Sequence, residues 1–457
     1  MKKCISLEIP NIQLIIIILA TVIFYIINES IFGFNFGELF SPINLNQLIF
    51  DDNSKHHRLI EPMFNYIGTI IMSIIFLLLQ NFIFKKKKVE YDEDNNIRKI
   101  TIKSNLDKSL IYTEDKQKIN IFYFLIMIVV WVIDENLIII ISKLLKDLDF
   151  WFFELIFLSL MLKYFIGIEI YKHHWFAMLL SIITCSLLKI TTIIITFTTK
   201  NRNSEMDYIE LYLKRGYFVP IGLIGYLIFI FIRSLYITWM KYFFDLKYVS
   251  HIRLLLLYGC IGTIILGAFS FCASYINCKQ IVDNDIINDI CPFESSNNEE
   301  KSYYFDSFSI YFNNFEGKKV LLIIFGAITF FFNKYFNLLL IMQYNPVYAI
   351  FSTPIIFFLE KVFLLIYTLI DTHKPAIYKG TNSLIKYTKL ILDTIGDIFN
   401  FFGFVIYLEI IVFHCYGLNY NIHKNIVHRS NANYKYVGKI NESYFPINPE
   451  NEEEENN

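Results

Sequence analysis

Residues 165–180 read FIGIEIYKHHWFAMLL, a short polar passage between two long apolar ones. It brings together Glu169, Lys172, the adjacent His173 and His174, and Trp175. Such a passage is either a chemical site or the place where a membrane hairpin turns through water. The turn is the better reading. Lys163 and Lys172 flank it, and apolar sequence resumes at once on both sides. Histidines adjacent on a helix point about 100° apart, a poor pair for one metal ion. The H-E-x-x-H pattern of a helical metalloprotease is absent. Lys163 can snorkel to the head groups and Trp175 suits the interface belt.

Composition agrees with that reading. The chain has 457 residues, 55% of them hydrophobic and only 18% charged, with mean hydropathy +0.45. Soluble chains carry about 25% charge. The apolar residues fall in blocks of about 18 or more, long enough to span a bilayer. Without alternation these blocks are helices rather than barrel strands. The fold class is therefore all-α, a polytopic membrane protein. Ten spans are expected, near 11–28, 64–84, 119–141, 150–168, 175–197, 217–239, 254–276, 319–341, 346–370 and 394–413. The first follows Met-Lys-Lys but has no small-residue cleavage site after it, so it reads as an uncleaved span.

Basic residues set the orientation. Loop 85–118 opens with KKKK and adds Arg98, Lys99 and Lys103, which places it inside with both termini. Loop 277–318 is acidic and faces out; its Cys278 and Cys291 are either a disulfide or two free thiols. The closing NPENEEEENN is a solvated acidic tail. Asn28 begins an N-x-S sequon but lies close to the membrane. A net charge of −1 gives no footing for nucleic acid.

Charge in the middle of a bilayer is costly, about 2.5–3.5 kcal/mol on insertion scales, so each instance needs a reason. Asn333, Lys334 and Asn337 gather on one face of the eighth span. They either line a cavity for an anionic or hydroxylated solute, or bond between helices while Lys334 snorkels. Glu360 and Lys361 lie midway along the ninth span, just after Pro354. Glu360 is either a proton-coupling carboxylate, its pKa raised by desolvation, or half of a structural ion pair with Arg233 or Lys189. Asp134 in WVIDEN is the first-half candidate, with Glu135 and Asn136 read as nearing the outer side. Lys189 lies within the fifth span, and Arg233 near enough to the inner surface to act as an anchor. Gly259, Thr263 and Gly267 recur every four residues, a small-residue face for close packing.

LMLKYFIGIEIYKHHWFAMLLSIITCSLL, residues 160–188, resembles the fourth-to-fifth span junction of the drug/metabolite transporter superfamily, which includes EamA-type and nucleotide-sugar transporters. Glu169 matches the family's turn glutamate and Trp175 its re-entry aromatic, with Gly167 two residues before the glutamate. NKYFNLLLIMQYNPVYAIFSTPIIFF, 333–358, is similar to its eighth-to-ninth junction, and IGDIFNFFGFVIYLEIIVF, 395–413, to its closing helix. The resemblance implies two inverted five-helix repeats, 1–198 and 199–416, followed by a cytosolic tail, 417–457. Loops 85–118 and 277–318 and the connection holding THKPAIYKGTNSL are longer than the family pattern. No nucleotide-sugar signature is present, so no substrate is carried over.

No P-loop, G-x-G-x-x-G, G-x-S-x-G or EF-hand pattern occurs, which argues against an ATP-driven pump and most membrane hydrolases. The expectation is a non-enzymatic secondary transporter or exchanger of a small metabolite, working by alternating access. Its binding residues would come from Asn333, Lys334, Asn337, Glu360, Lys361, Asp134 and Lys189. No cofactor and no metal are expected; the partners are the solute and the bilayer of an endomembrane or plasma membrane, with homodimerisation left open. The rival is a polytopic scaffold, or an integral-membrane enzyme using scattered residues.

Overall fold

The computed structural model describes residues 5–7, 12–32, 60–83, 90–91, 97–99, 121–144, 152–168, 170–199, 218–247, 249–273, 317–352, 355, 358–359, 383–414 and 418. These residues are almost entirely helical. In chain order the helices are α1 (Ile12–Phe32), α2 (Ile60–Ile83), α3 (Ile121–Leu144), α4 (Phe152–Met161), α5 (Lys172–Thr199), α6 (Phe218–Lys247), α7 (His251–Ala273) and α8 (Gly317–Gln343). Residues 347–352 are helical and are called α9, and α10 covers Ser383–Tyr407. Among the described residues, four segments are long and apolar enough to cross a membrane: Pro62–Leu79, Ile224–Asp245, His251–Cys272 and Val320–Gln343. The chain thus has the make-up of a multi-pass membrane protein. Ile71, Ile74, Ile75 and Leu78 form an exposed stripe at helical spacing along α2. In water such a patch invites aggregation, whereas in lipid it is the ordinary outer face of a span.

The opening stretch folds as the hairpin expected of it. After α4 the chain widens into a π-helical turn, Leu162–Ile166, capped by Gly167 at φ 83° with its N–H bonded to the Leu162 carbonyl. That left-handed backbone suits glycine, which has no Cβ to clash. α5 starts five residues later, and the Ser159 hydroxyl lies 3.1 Å from Met178 Sδ, so α4 and α5 run back side by side.

The end of the last helix departs from expectation. An apolar run to 413 reads as one span, but α10 stops at Tyr407 and residues 411–413 form a strand. The stop is a Schellman cap: the Ile410 N–H bonds to Val405 O at 3.1 Å and the Glu409 N–H to Ile406 O at 3.0 Å. Glu409 takes the left-handed position at φ 59°. Strand β4, Ile411–Phe413, then pairs antiparallel with β1, Ile5–Leu7, placing Ile5 opposite Phe413 and Leu7 opposite Ile411. Two isoleucines and a valine in the stretch 410–412 favour extended backbone. A short apolar run does not by its periodicity separate helix from strand. A second strand pair, β2 (Glu90–Tyr91) with β3 (Ile97–Lys99), lies in the loop expected inside.

The chain divides into two compact units, each drawing on both ends of the sequence. One comprises 1–19, 147–241 and 339–457; the other comprises 20–146 and 242–338. In the first, α5 packs along α10. A Cβ on Gly403 would stand 2.5 Å from Ser181 Oγ, so only glycine lets these helices close. In the second, α2 packs along α7. Of the small residues expected to face a neighbour, Gly259 does so closely, a Cβ there meeting Ile70 at 2.8 Å. Gly267 has only ordinary contact, and the tightest approach is at Gly262, where a Cβ would meet the Tyr66 ring at 2.2 Å. α1 packs on α8 through Phe24 and Phe332, stacked with centroids 5.0 Å apart. Asn28 is buried there and donates to Gly326 O at 2.9 Å, which makes its sequon a packing position. α2 also meets α8, with Phe76 5.3 Å from Phe331, and Phe124 of α3 meets Phe243 of α6 at 5.0 Å.

Candidate functional site

Within the second unit, α3, α7 and α8 bring their polar residues to one carboxylate. Glu135 stands nine residues before the end of α3, and Lys334 nine residues before the end of α8, each about 14 Å from the C-terminal end of its helix and farther from the N-terminal end, at 1.5 Å per residue. Lys334 Nζ lies 2.5 Å from Glu135 Oε1, and the two side chains are only 15% and 18% exposed. The Trp131 indole N–H donates to the same oxygen at 2.6 Å. The Tyr258 hydroxyl of α7 donates to Oε2. Glu135 therefore receives an ammonium, an indole and a phenol.

Aromatic rings enclose this pair. Trp131 stacks on Tyr258 with centroids 3.9 Å apart, and Tyr66 of α2 tilts against Tyr258 at 5.0 Å. Asn136 donates to the Tyr66 hydroxyl at 2.9 Å and to Val132 O at 2.6 Å. Lys334 Nζ also lies 5.1 Å from the centre of the Phe330 ring, within cation–π reach. Removing one partner from a buried ion pair strands the other charge and costs about 3–5 kcal/mol.

The structure redistributes the candidates. Lys334 does not snorkel to the surface; it turns to Glu135. Asn333 is buried and donates to the Thr21 backbone carbonyl at 3.0 Å, which is the interhelical bond offered as the alternative to a cavity. Asn337, one turn from both, keeps a buried Oδ1 with no hydrogen-bond partner. Asp134 is 3% exposed, but sits one residue from Glu135 and so about 100° around the helix. Arg233 pairs with Glu154 at 3.7 Å and lies over the Phe229 ring at 5.1 Å, in the first unit. Glu360, Lys361, Glu169, Cys278 and Cys291 lie outside the described residues, as does the side chain of Lys189.

Sequence reasoning read Glu135 as nearing the outer side, whereas it lies nine residues inside α3, and it passed over Tyr258, Tyr66, Trp131 and Glu154. One local signal existed: Trp131 and Glu135 are four apart on α3 and share a face. The partners on α2, α7 and α8 carry no such mark. No protein-family model matches the chain, and no curated protein matches it either.

Proposed function

We propose that the protein is a secondary active transporter or exchanger of a small metabolite, built on the drug/metabolite transporter plan and not an enzyme. The observation that carries this reading is a regularity in the helix contacts. Exchange each helix number n for n + 5 and the contacts repeat. α2 packs on α7 and α5 on α10, each helix against its own counterpart. The α1–α8 contact through Phe24 and Phe332 has its counterpart in α6–α3 through Phe243 and Phe124. The α2–α8 contact through Phe76 and Phe331 is matched by α7–α3 through Tyr258 and Trp131. A chain of two five-helix repeats related by a pseudo-two-fold axis has this pattern, and transporter sites lie near the midplane of such pairs.

In this reading Lys334 anchors an anionic or zwitterionic solute, Glu135 competes for it, and Asn337 supplies a free acceptor. Asp134, Lys189, Glu360 and Lys361 complete the set of binding candidates. The bilayer and the solute are the partners, and both termini face the cytosol. Uptake by purified protein in proteoliposomes, from a mixed pool of labelled metabolites with and without a pH gradient, tests the proposal. Saturable uptake is expected, abolished by Lys334→Ala and altered by Glu135→Gln. Folded protein that takes up nothing from a broad pool overturns it.

The scaffold reading keeps one specific observation on its side. Glu154 pairs with Arg233 and Glu135 with Lys334, so these buried charges are matched without a solute. A scaffold of this kind leaves both variants foldable and no uptake to lose.

A further inference from the structure

A second polar cluster, in the first unit, falls outside the transport reading. His173 and His174 open α5 and are 5% and 6% exposed. Although adjacent in sequence, their rings come together, with centroids 3.9 Å apart. Glu409 approaches them from beyond the end of α10, with Oε1 2.8 Å from His173 Nε2. One ligand atom from each of the three residues lies within 4.8 Å of the others. We propose that His173, His174 and Glu409 bind a divalent cation of the zinc class, which fastens the chain after α10 to the α4–α5 turn.

Three observations support the assignment. First, an ion pair between His173 and Glu409 does not account for the cluster, because the Nδ1 atoms of both histidines are buried without a hydrogen-bond partner. Buried imidazole nitrogens are expected to be bonded, to a donor, an acceptor or a metal. Second, Glu409 occupies the left-handed cap position that helix ends reserve for glycine. The backbone there holds a strained conformation that delivers a carboxylate to the histidines, and strain of this kind gathers at functional positions. Third, His173 and Glu409 line a small cleft of about 10 Å³, room for about one water molecule, whose other walls are apolar, among them Phe176, Ile411 and Phe413. Two of the three donors face this cleft, which leaves a fourth position for a water molecule.

The donor set selects the metal. Two imidazoles and one carboxylate suit zinc and its neighbours, whereas magnesium and calcium want oxygen alone. Bonds of about 2.0–2.1 Å in a tetrahedron put donors about 3.3 Å apart, so closure from 4.8 Å takes side-chain rotations of the order of 1 Å. Strand pairing between β4 and β1 holds the residues just beyond Glu409 while this happens.

The test uses the full-length protein in detergent, stripped with chelator and titrated with Zn²⁺ alone, then with Co²⁺ alone. One equivalent of saturable binding is expected, weakened about 100-fold or more in His173→Ala and in Glu409→Gln. Because either variant can lose its fold, X-ray absorption on the cobalt-loaded wild type is read alongside: the proposal expects two imidazoles and oxygen in the shell, with no sulfur. No saturable binding to the wild type overturns it. So does a sulfur ligand from the seven cysteines, or binding unchanged in folded variants.

Discussion

In one unit the charged groups stand in the middle of long helices, and come from positions 199 residues apart, Glu135 and Lys334. In the other, His173, His174 and Glu409 stand at helix ends, where a π turn, a Schellman cap and a strand pair fix the backbone around them. A mid-helix charge is held by side chains alone, so its stability depends on each partner in turn. A helix-end cluster is held by backbone hydrogen bonds, so it tolerates loss of a side chain more readily. The difference predicts where substitution destabilises the fold and where it changes only binding.

The largest expected effect is at Glu135. Replacing it with leucine strands Lys334 and costs about 3–5 kcal/mol, whereas the double change Glu135→Leu with Lys334→Met recovers most of that loss. Unfolding in micelles, read as a double-mutant cycle, checks this. An additive result would mean that the two side chains do not interact.

Next comes the seam between α2 and α7. Gly262→Val must displace the Tyr66 ring, and overpacking of this kind costs about 1–3 kcal/mol. It also disturbs the Tyr66–Asn136 bond, so any uptake should fall with stability. Retention of both would mean that the helices can part without consequence.

The histidine cluster gives a pH effect of the opposite character. Burial, with His173 beside it, holds the His174 imidazole well below its ordinary pKa. The folded chain therefore keeps His174 neutral while the unfolded chain takes up a proton below about pH 6.5. Its contribution to stability is present above that pH and is lost as pH falls, with a slope of at most about 1.4 kcal/mol per pH unit. His174→Phe in metal-free protein should remove the slope in thermal unfolding between pH 5 and 7. A slope that survives would assign the titration to another group.

The smallest effect sharpens the comparison most. Glu409→Gly should stabilise metal-free protein by roughly 1 kcal/mol, since glycine relaxes at the left-handed cap. Thermal unfolding checks the sign. A loss of stability would mean that the His173–Glu409 contact outweighs the backbone strain.

Much of the architecture was legible because hydropathy acts locally. The described helices up to α9 start within four residues of the expected spans, whereas α10 starts at Ser383, well before the expected 394; the Lys163-to-Trp175 passage turns as its flanking charges implied. The end of α10 was not legible: LEIIVF is apolar whether it continues a helix or enters a strand, and pairing with Ile5–Leu7 decides between them. Lys334 was visible as a costly charge, yet its partner was not, because Glu135 sits beside a better-looking Asp134 and the choice depends on which face meets α7 and α8. His173 and His174 were set aside on their 100° spacing. Glu409, which gives them meaning, lies 235 residues beyond His174 and reaches them only because the cap turns the chain.

The most direct test of the central claim is the accessibility of one position from each side of a sealed membrane. Asn337→Cys, introduced into protein from which the seven native cysteines have been removed, is exposed to a membrane-impermeant maleimide in right-side-out and inside-out vesicles. Alternating access predicts labelling from both sides, with addition of the metabolite pool shifting the balance between them. Labelling from one side only, or from neither, would contradict it.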